Sequence, residues 1–317
     1  MTELPQERRL FREAADLAIR LQNDPANPVS IKMVRAWVAR GPEHEAAWAR
    51  VAEIHGMTGQ ILAKERKAAH STGLSRRNMV LGGVIGLGAV AGGAWGIPRA
   101  ILTARADYMT ATAEIRRVAL SDSSAITLGP DSAIAFDYTA ARRGIELLTG
   151  MAYFEVASDP ARPFTVRCGE LTATALGTAF DISNDAGFIS LAVDHGVVKA
   201  NAPGSELRAG QQLNVGDCIT LDVSSQRIAH GIRDASQIAA WRDGMIVADK
   251  ETVAAMVAKI ARWQPGRVVL AEPSLGSRVV SGVFDLHDPI RALEAVVRPY
   301  GAKVRRLTSF MTVISSV

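Results

Sequence analysis

Residues 79–97, MVLGGVIGLGAVAGGAWGI, carry no charge over nineteen positions, and this run constrains the chain more than any other feature. As a helix it would be about 28 Å long, close to the hydrocarbon thickness of a bilayer. The sequence therefore predicts one transmembrane helix at 79–97. Charge sets its direction. Residues 1–78 hold 13 Lys/Arg against 9 Asp/Glu, whereas residues 98–317 hold 23 of each, so the whole excess of +4 precedes the run. Arg76 and Arg77 stand just before it, which predicts a cytoplasmic N-terminus and a periplasmic C-terminus in a single-pass protein of a bacterial inner membrane. The same arginine pair and the glycine-rich run also fit a twin-arginine export signal, with Ala104-Arg105-Ala106 as a cleavage pattern. A head of some 78 residues is long for a signal n-region and favours the uncleaved anchor.

Hydropathy patterning divides the rest. Residues 1–65 predict a small all-α head. Leu10, Ala14, Leu17, Ala18 and Leu21 recur at helical spacing, Ile31, Val34, Trp37 and Val38 share a second helix, and Ala47, Trp48 and Val51 share a third. Residues 66–78 form a basic linker and 98–111 a second linker. From 112 to 230, short β-branched or alternating runs recur between turn residues, which predicts an all-β module. Residues 241–317 alternate strands and helices in a small α+β module; there Asp288-Pro289 opens a helix and Gly301 closes it. The expected fold class is thus a multi-domain membrane protein: all-α cytoplasmic head, one transmembrane helix, all-β periplasmic domain and small α+β C-terminal domain.

Catalytic patterns are missing. The sequence has no G-x-S-x-G, P-loop, G-x-G-x-x-G or H-E-x-x-H, and its six histidines are scattered. No catalytic residue, metal site or cofactor is expected. Cys168 and Cys218 follow the apolar run and leave two alternatives open, a periplasmic disulfide or two buried thiols. One bond carries latent chemistry: at Gly177-Thr178 a hydroxyl directly follows a glycine carbonyl, the arrangement for an N-to-O acyl shift, although a tight turn also uses Gly there.

Several stretches together resemble the FecR family of sigma-factor regulators. They are Ala36-Trp37-Val38-Ala39 and Pro42–Trp48 in the head; Leu148–Val156, Arg162-Pro163-Phe164-Thr165-Val166, Ala175–Phe180 and Leu207–Gln212 in the β region; and Trp241-Arg242-Asp243-Gly244 with Ser281-Gly282-Val283-Phe284 near the C-terminus. The sequence departs from the family pattern at Leu120-Ser121-Asp122-Ser123, where a Leu-Pro-Asp-Gly turn is usual, and at Asp194-His195-Gly196. The resemblance implies an anti-sigma factor. Its head would bind an extracytoplasmic-function sigma factor, with Leu17, Leu21, Trp37, Trp48 and Val51 as contacts. Its C-terminal module, similar to the short N-terminal domains of secretins and TonB-dependent transducers, would meet the signalling domain of a TonB-dependent outer-membrane receptor of ferric siderophore uptake. Val279, Val283, Phe284 and Val313 are the candidates for that contact. The resemblance also implies site-specific proteases as partners and self-cleavage at Gly177-Thr178, while the acidic residues interleaved with Arg35, Arg40 and Arg50 in the head argue against a direct nucleic-acid partner. Two other readings stay open: an exported periplasmic sensor, and a membrane-tethered DNA-binding regulator.

Overall fold

The computed structural model describes residues 6–23, 27–54, 99–139, 141–308 and 310–316. The run 79–97, Arg76, Arg77, the basic linker and the end of the head (55–65) lie outside the described residues. Among the described residues no helix is long and apolar enough to cross a membrane.

Three short helices open the chain: α1 (Gln6–Asn23), α2 (Pro28–Val38) and α3 (Pro42–Ile54). Asn27 caps α2, its side chain accepting from the backbone N–H of Val29 and Ser30 while Pro28 fills the first turn. A fourth helix, α4 (Arg99–Arg105), leads into the β region.

That region is built around one long strand. After β1 (Tyr108–Met109), β2 (Arg116–Ala119), β3 (Ala125–Leu128) and β4 (Ala133–Tyr138) comes β5 (Arg143–Glu155), thirteen residues that belong to two sheets. Its first half pairs β4 antiparallel and β6 (Phe164–Cys168) in parallel. Its second half pairs β3 and β8 (Ala179–Asp185). The switch is at Gly150, with φ +93, where a Cβ would lie 2.1 Å from the Ser132 hydroxyl oxygen; that oxygen instead accepts from the Met151 N–H. Only glycine fits there. One sheet continues from β6 to β7 (Leu171–Ala175), β10 (Val198–Asn201) and β11 (Gln211–Leu213); the other runs from β8 to β9 (Phe188–His195), β12 (Asp217–Asp222) and β13 (Arg227–Ile232).

The two sheets enclose one core. Ile126, Leu128, Phe154, Phe164, Phe180 and Ile182 are wholly buried in it, and the Phe154 and Phe180 rings stack 5.0 Å apart. The parallel β5–β6 pair needs a crossover through residues 156–163, and Arg143 fixes it from below. This arginine is fully buried. It donates to the carbonyls of Arg162 (2.7 Å), Ala157 (3.0 Å) and Asp159 (3.3 Å) and pairs Asp122 at 2.9 Å. Burial pushes the Asp122 carboxyl up, but hydrogen bonds from Arg143, Ser124 and Tyr138 outweigh it and hold the group below its ordinary value.

The C-terminal part has two small sheets with helices between them. β14 (Met245–Thr252) pairs β16 (Val279–Asp285), and β15 (Arg267–Leu270), β18 (Met311–Ser315) and β17 (Lys303–Thr308) form the second sheet in that order. Between them lie α5 (Val253–Ala261) and α7 (Pro289–Val297), with the one-turn α6 (Pro273–Gly276) beside α5. Asp288 caps α7 by accepting from the Arg291 N–H, and Gly301, at φ +73, ends the turn after it.

The expected fold class does not survive. The described chain is mostly β, and its helices are not a free-standing all-α head. The physical reason is alternation in β14 and β16. Ile246, Ala248 and Phe284 point to α5 and α7, while Met245, Val247 and Val283 point the other way and share a core with Leu10, Phe11, Ala14, Ala18, Trp37 and Val51. Three short helices bury too little by themselves, and here they bury their apolar stripe on a sheet. The β region and the C-terminal part are likewise continuous. The outer face of β5, β8 and β9 offers Met151, Tyr153, Asp181 and Ala192 to Ile238, Ala239 and Trp241. Arg262 stitches this joint, reaching Asp185 Oδ1 at 3.0 Å and the carbonyls of Asn184 (2.9 Å) and Asp131 (3.1 Å).

Candidate functional site

The sigma-contact residues expected from sequence are interior. Leu17, Leu21, Trp37 and Val51 are buried and Trp48 is half-buried. Trp37 Nε1 donates to Glu13 at 2.9 Å and its ring meets His44 edge-on at 4.7 Å, so it ties α2 to α1 and to the start of α3. What the helical unit does expose is the far side of α2: Val29 and Met33, one turn apart, with Lys32 and Ala36 beside them. The i, i+4 spacing of Val29 and Met33, off the Val34–Trp37 stripe, is the sequence signal for this face. Arg50 pairs Asp234 and holds α3 to the segment before β14.

Of the transducer-contact candidates only Val279 is freely exposed; Val313 is half-buried. Val283 lies under α1 and α3, and Phe284 lies under α5 and α7, so neither is a surface residue. A strand covered on both faces gives no one-sided pattern, which is why its alternation did not assign them.

Cys168 and Cys218 are free thiols, so the disulfide alternative is not realised. Cys168 points into the core between the two large sheets, whereas Cys218 faces outward toward the C-terminal part. Burial pushes both thiols up, Cys168 to about 12.

The Gly177-Thr178 bond sits in the connection from β7 to β8. Two flanking hydrogen bonds hold it against residues 156–159: Asp159 N–H donates to the Leu176 carbonyl (3.2 Å) and Val156 N–H to the Thr178 carbonyl (2.8 Å). Gly177 has φ +157, and a Cβ there would come within 3.0–3.2 Å of Ser158. From the other side Gly196 approaches so closely that its own Cβ would meet Thr178 Cγ2 at 2.8 Å and the Gly177 carbonyl oxygen at 3.0 Å. The Thr178 hydroxyl is buried and has no hydrogen-bond partner among the described residues. Such an orphan is costly unless it has a use.

A further cluster was not evident from sequence. Trp241 Nε1 donates to the buried Asp181 carboxylate at 2.9 Å, and Arg242 lies 3.5 Å over the Tyr153 ring. Burial raises Asp181 to about 6, against the opposing pull of the Trp241 hydrogen bond and of Lys259, Arg242 and Arg233. Nearby, Glu251 pairs Arg233 and Lys259, each at 2.6 Å; those cations overcome its burial and hold it at about 2. Glu251, Arg233 and Lys259 border a cleft of about 740 Å³ between the β12–β13 hairpin and β14–α5. Among the described residues no group of three or more His, Cys, Asp or Glu is placed to hold a metal.

Comparison with known proteins fits this geometry. Residues 106–199 match the family model described as FecR protein, and residues 12–54 match a domain of unknown function, DUF4880. The first match spans β1 to β10 and includes the Gly177-Thr178 connection; the second spans most of α1 through α3. No curated protein matches the chain. Two crystal structures of a protein from Parabacteroides distasonis ATCC 8503, itself only proposed to be an anti-sigma factor, share the fold. Each has a TM-score of 0.59 at 20% identity and covers 66% of this chain and 98% of the other.

Proposed function

We propose that this chain, whose residues 106–199 match the FecR protein family model, acts as an anti-sigma regulator whose α1–α3 unit binds a sigma factor while the β and C-terminal parts control when it does so. The observation that carries the reading is the pairing, in one chain, of a FecR domain with an N-terminal helical unit that leaves an apolar face open on α2. Val29 and Met33 are the contacts we assign, in place of the buried Leu17, Leu21, Trp37 and Val51. The finer parts of the proposal are an extracytoplasmic-function sigma factor as partner, a TonB-dependent outer-membrane transducer as the source of the signal, and ferric siderophore uptake as its occasion. An inner-membrane position with a cytoplasmic N-terminus belongs to the same proposal, supported by the uncharged run 79–97 and by Arg76 and Arg77, and it requires α1–α3 to give up their contact with β14 and β16 when the run is in the bilayer. The test is capture of a sigma factor by the full chain from a lysate of its own organism. Val29→Asp with Met33→Asp should abolish capture without unfolding the protein. Undiminished capture by that variant removes α2 as the contact, and capture of no sigma factor by the folded chain removes the role.

A second reading rests on the orphaned hydroxyl. Thr178 Oγ1 is the nucleophile of a self-cleavage in which it attacks the Gly177 carbonyl carbon. The Gly177–Thr178 C–N bond breaks, the Thr178 amine is freed, and the resulting ester is hydrolysed by water. Intact mass should show fragments 1–177 and 178–317. Thr178→Ala should give only the full chain, and Thr178→Ser should restore cleavage.

A further inference from the structure

The hairpin β17–β18 ends in an apolar tip on a basic stem. Leu307 is 60% exposed, Phe310 77% and Met311 41%, three large apolar side chains at one end of one hairpin. Lys303, Arg305 and Arg306 follow one another along β17, all exposed, and exposed Arg267 opens β15 directly opposite Met311. Residues 303–317 contain no Asp or Glu. The nearest carboxylate in sequence to β15, Glu272, is engaged with Ser316 at the opposite end of the sheet. β17 is the edge of its sheet, and among the described residues the outer face of β15–β18–β17 bears no helix, since α5 and α7 cover the other side.

The tip is held in place. Gly266, at φ +92, lies so close beneath Phe310 that a Cβ would come within 2.7–2.8 Å of its backbone, and the Arg267 N–H donates to the Phe310 carbonyl at 2.8 Å. The backbone is therefore fixed while the Phe310 ring faces solvent. Isolated exposed apolar residues are ordinary, but three at one turn flanked by Arg306 and Arg267, with Arg305 behind them, are not.

We infer that the β17–β18 tip is a membrane-surface contact: Phe310, Leu307 and Met311 enter the headgroup boundary of an anionic bilayer while Arg306 and Arg267 beside them, and Arg305 behind, face the lipid phosphates. Two features favour lipid over a protein partner. The apolar side chains sit exposed at the end of a turn whose backbone Gly266 and Arg267 hold, an arrangement suited to a soft medium rather than a matching socket. The charges are of one sign and spread along a strand, which suits a diffuse anionic surface.

The experiment uses the full chain with Cys218→Ser and Phe310→Cys, labelled with an environment-sensitive dye; Cys168 is wholly buried. Residues 79–97 can bring the chain to vesicles by themselves, so the readout is the dye at position 310 and not total binding. With vesicles of phosphatidylcholine containing one third phosphatidylglycerol, emission should rise at least threefold with a blue shift. The rise should disappear in pure phosphatidylcholine, in high salt, and in the variant Lys303→Gln, Arg305→Gln, Arg306→Gln, and it should persist with Arg305→Lys. No rise with anionic vesicles, or an equal rise with neutral ones, overturns the inference. So does a dye that responds to an acidic protein but to neither vesicle, an outcome that would make the tip a protein-docking site.

Discussion

The FecR region and the N-terminal helices solve the same problem in opposite ways. The two sheets that share β5 enclose a core to which, among the described residues, the N-terminal helices and the C-terminal part contribute nothing. The α1–α3 core is completed by Ala240, Met245, Val247 and Val283 from elsewhere in the chain. A closed pair of sheets buries its strands' inner faces by itself. Three short helices cannot, and they depend on whatever apolar surface covers them. The first region is therefore the part whose stability is intrinsic, and the second is the part whose state a partner can change.

The strongest way to break this comparison is from inside the first region. Arg143→Ala leaves Asp122 buried without its cation and strips three carbonyls of their donor. Losing one partner of a buried pair costs about 3–5 kcal/mol. Denaturant unfolding should show that loss, and the melting of the β core should fall with it. Phe11→Ala, at a residue 1% exposed under the helices, should cost about 3 kcal/mol locally. Its effect should stay in the helical unit: hydrogen exchange in α1–α3 should rise while amides of β3, β5 and β8 keep their protection. Equal loosening of both regions would show that the two cores unfold as one.

Much of the first region was legible in the sequence. Ala125–Leu128 is a strand as its composition predicts, and Phe164–Cys168 alternates inward and outward. β5 reads as two strands because Thr149-Gly150 has the composition of a turn. Gly150 does adopt positive φ, yet it bends the strand from one sheet to the other without ending it. β8 escaped because Asp181, Ser183, Asn184 and Asp185 look like a loop. Phe180 and Ile182 point into the core, while Asp181 and Asp185 face the C-terminal part, where Trp241 donates to Asp181 and Arg262 to Asp185 Oδ1. A strand whose outer face meets polar partners is not distinguished from a loop by hydropathy. The docking of α1–α3 was illegible for a different reason: an apolar stripe announces that it will be covered, not by what.

The joint between the FecR region and the C-terminal part sharpens the comparison through pH. Asp181 is raised to about 6, so the folded state favours its protonated form. Its contribution is fully present below about pH 4 and is lost as pH rises through 6. Asp181→Asn keeps an acceptor for Trp241 without the charge. Each tenfold change in proton affinity is worth about 1.4 kcal/mol, so the variant should gain on the wild type by about 2–3 kcal/mol between about pH 4 and pH 7. A constant difference across that range would mean that water or a cation already compensates Asp181.

The smallest energetic effect carries the sharpest decision. Arg50 and Asp234 join α3 to the C-terminal part, and their side chains are 29% and 27% exposed. Partly exposed pairs contribute at most about 1 kcal/mol, so Arg50→Ala should barely move the melting temperature. The pair nevertheless marks a contact that a membrane would forbid. If residues 79–97 span a bilayer, α1–α3 and β14–β16 lie on opposite sides of it and cannot touch in the same molecule. Cysteines at both positions, in a chain with Cys218→Ser, should be bridged by a short membrane-permeant bis-maleimide in the purified protein if the helices dock as described. The same chain assayed in intact cells should stay uncrosslinked if the run crosses the membrane. Crosslinking in both settings would place the helices and the C-terminal part in one compartment. Crosslinking in neither would mean that the apolar stripe of α1 is covered by something other than β14 and β16, and a bound sigma factor is then the first occupant to look for.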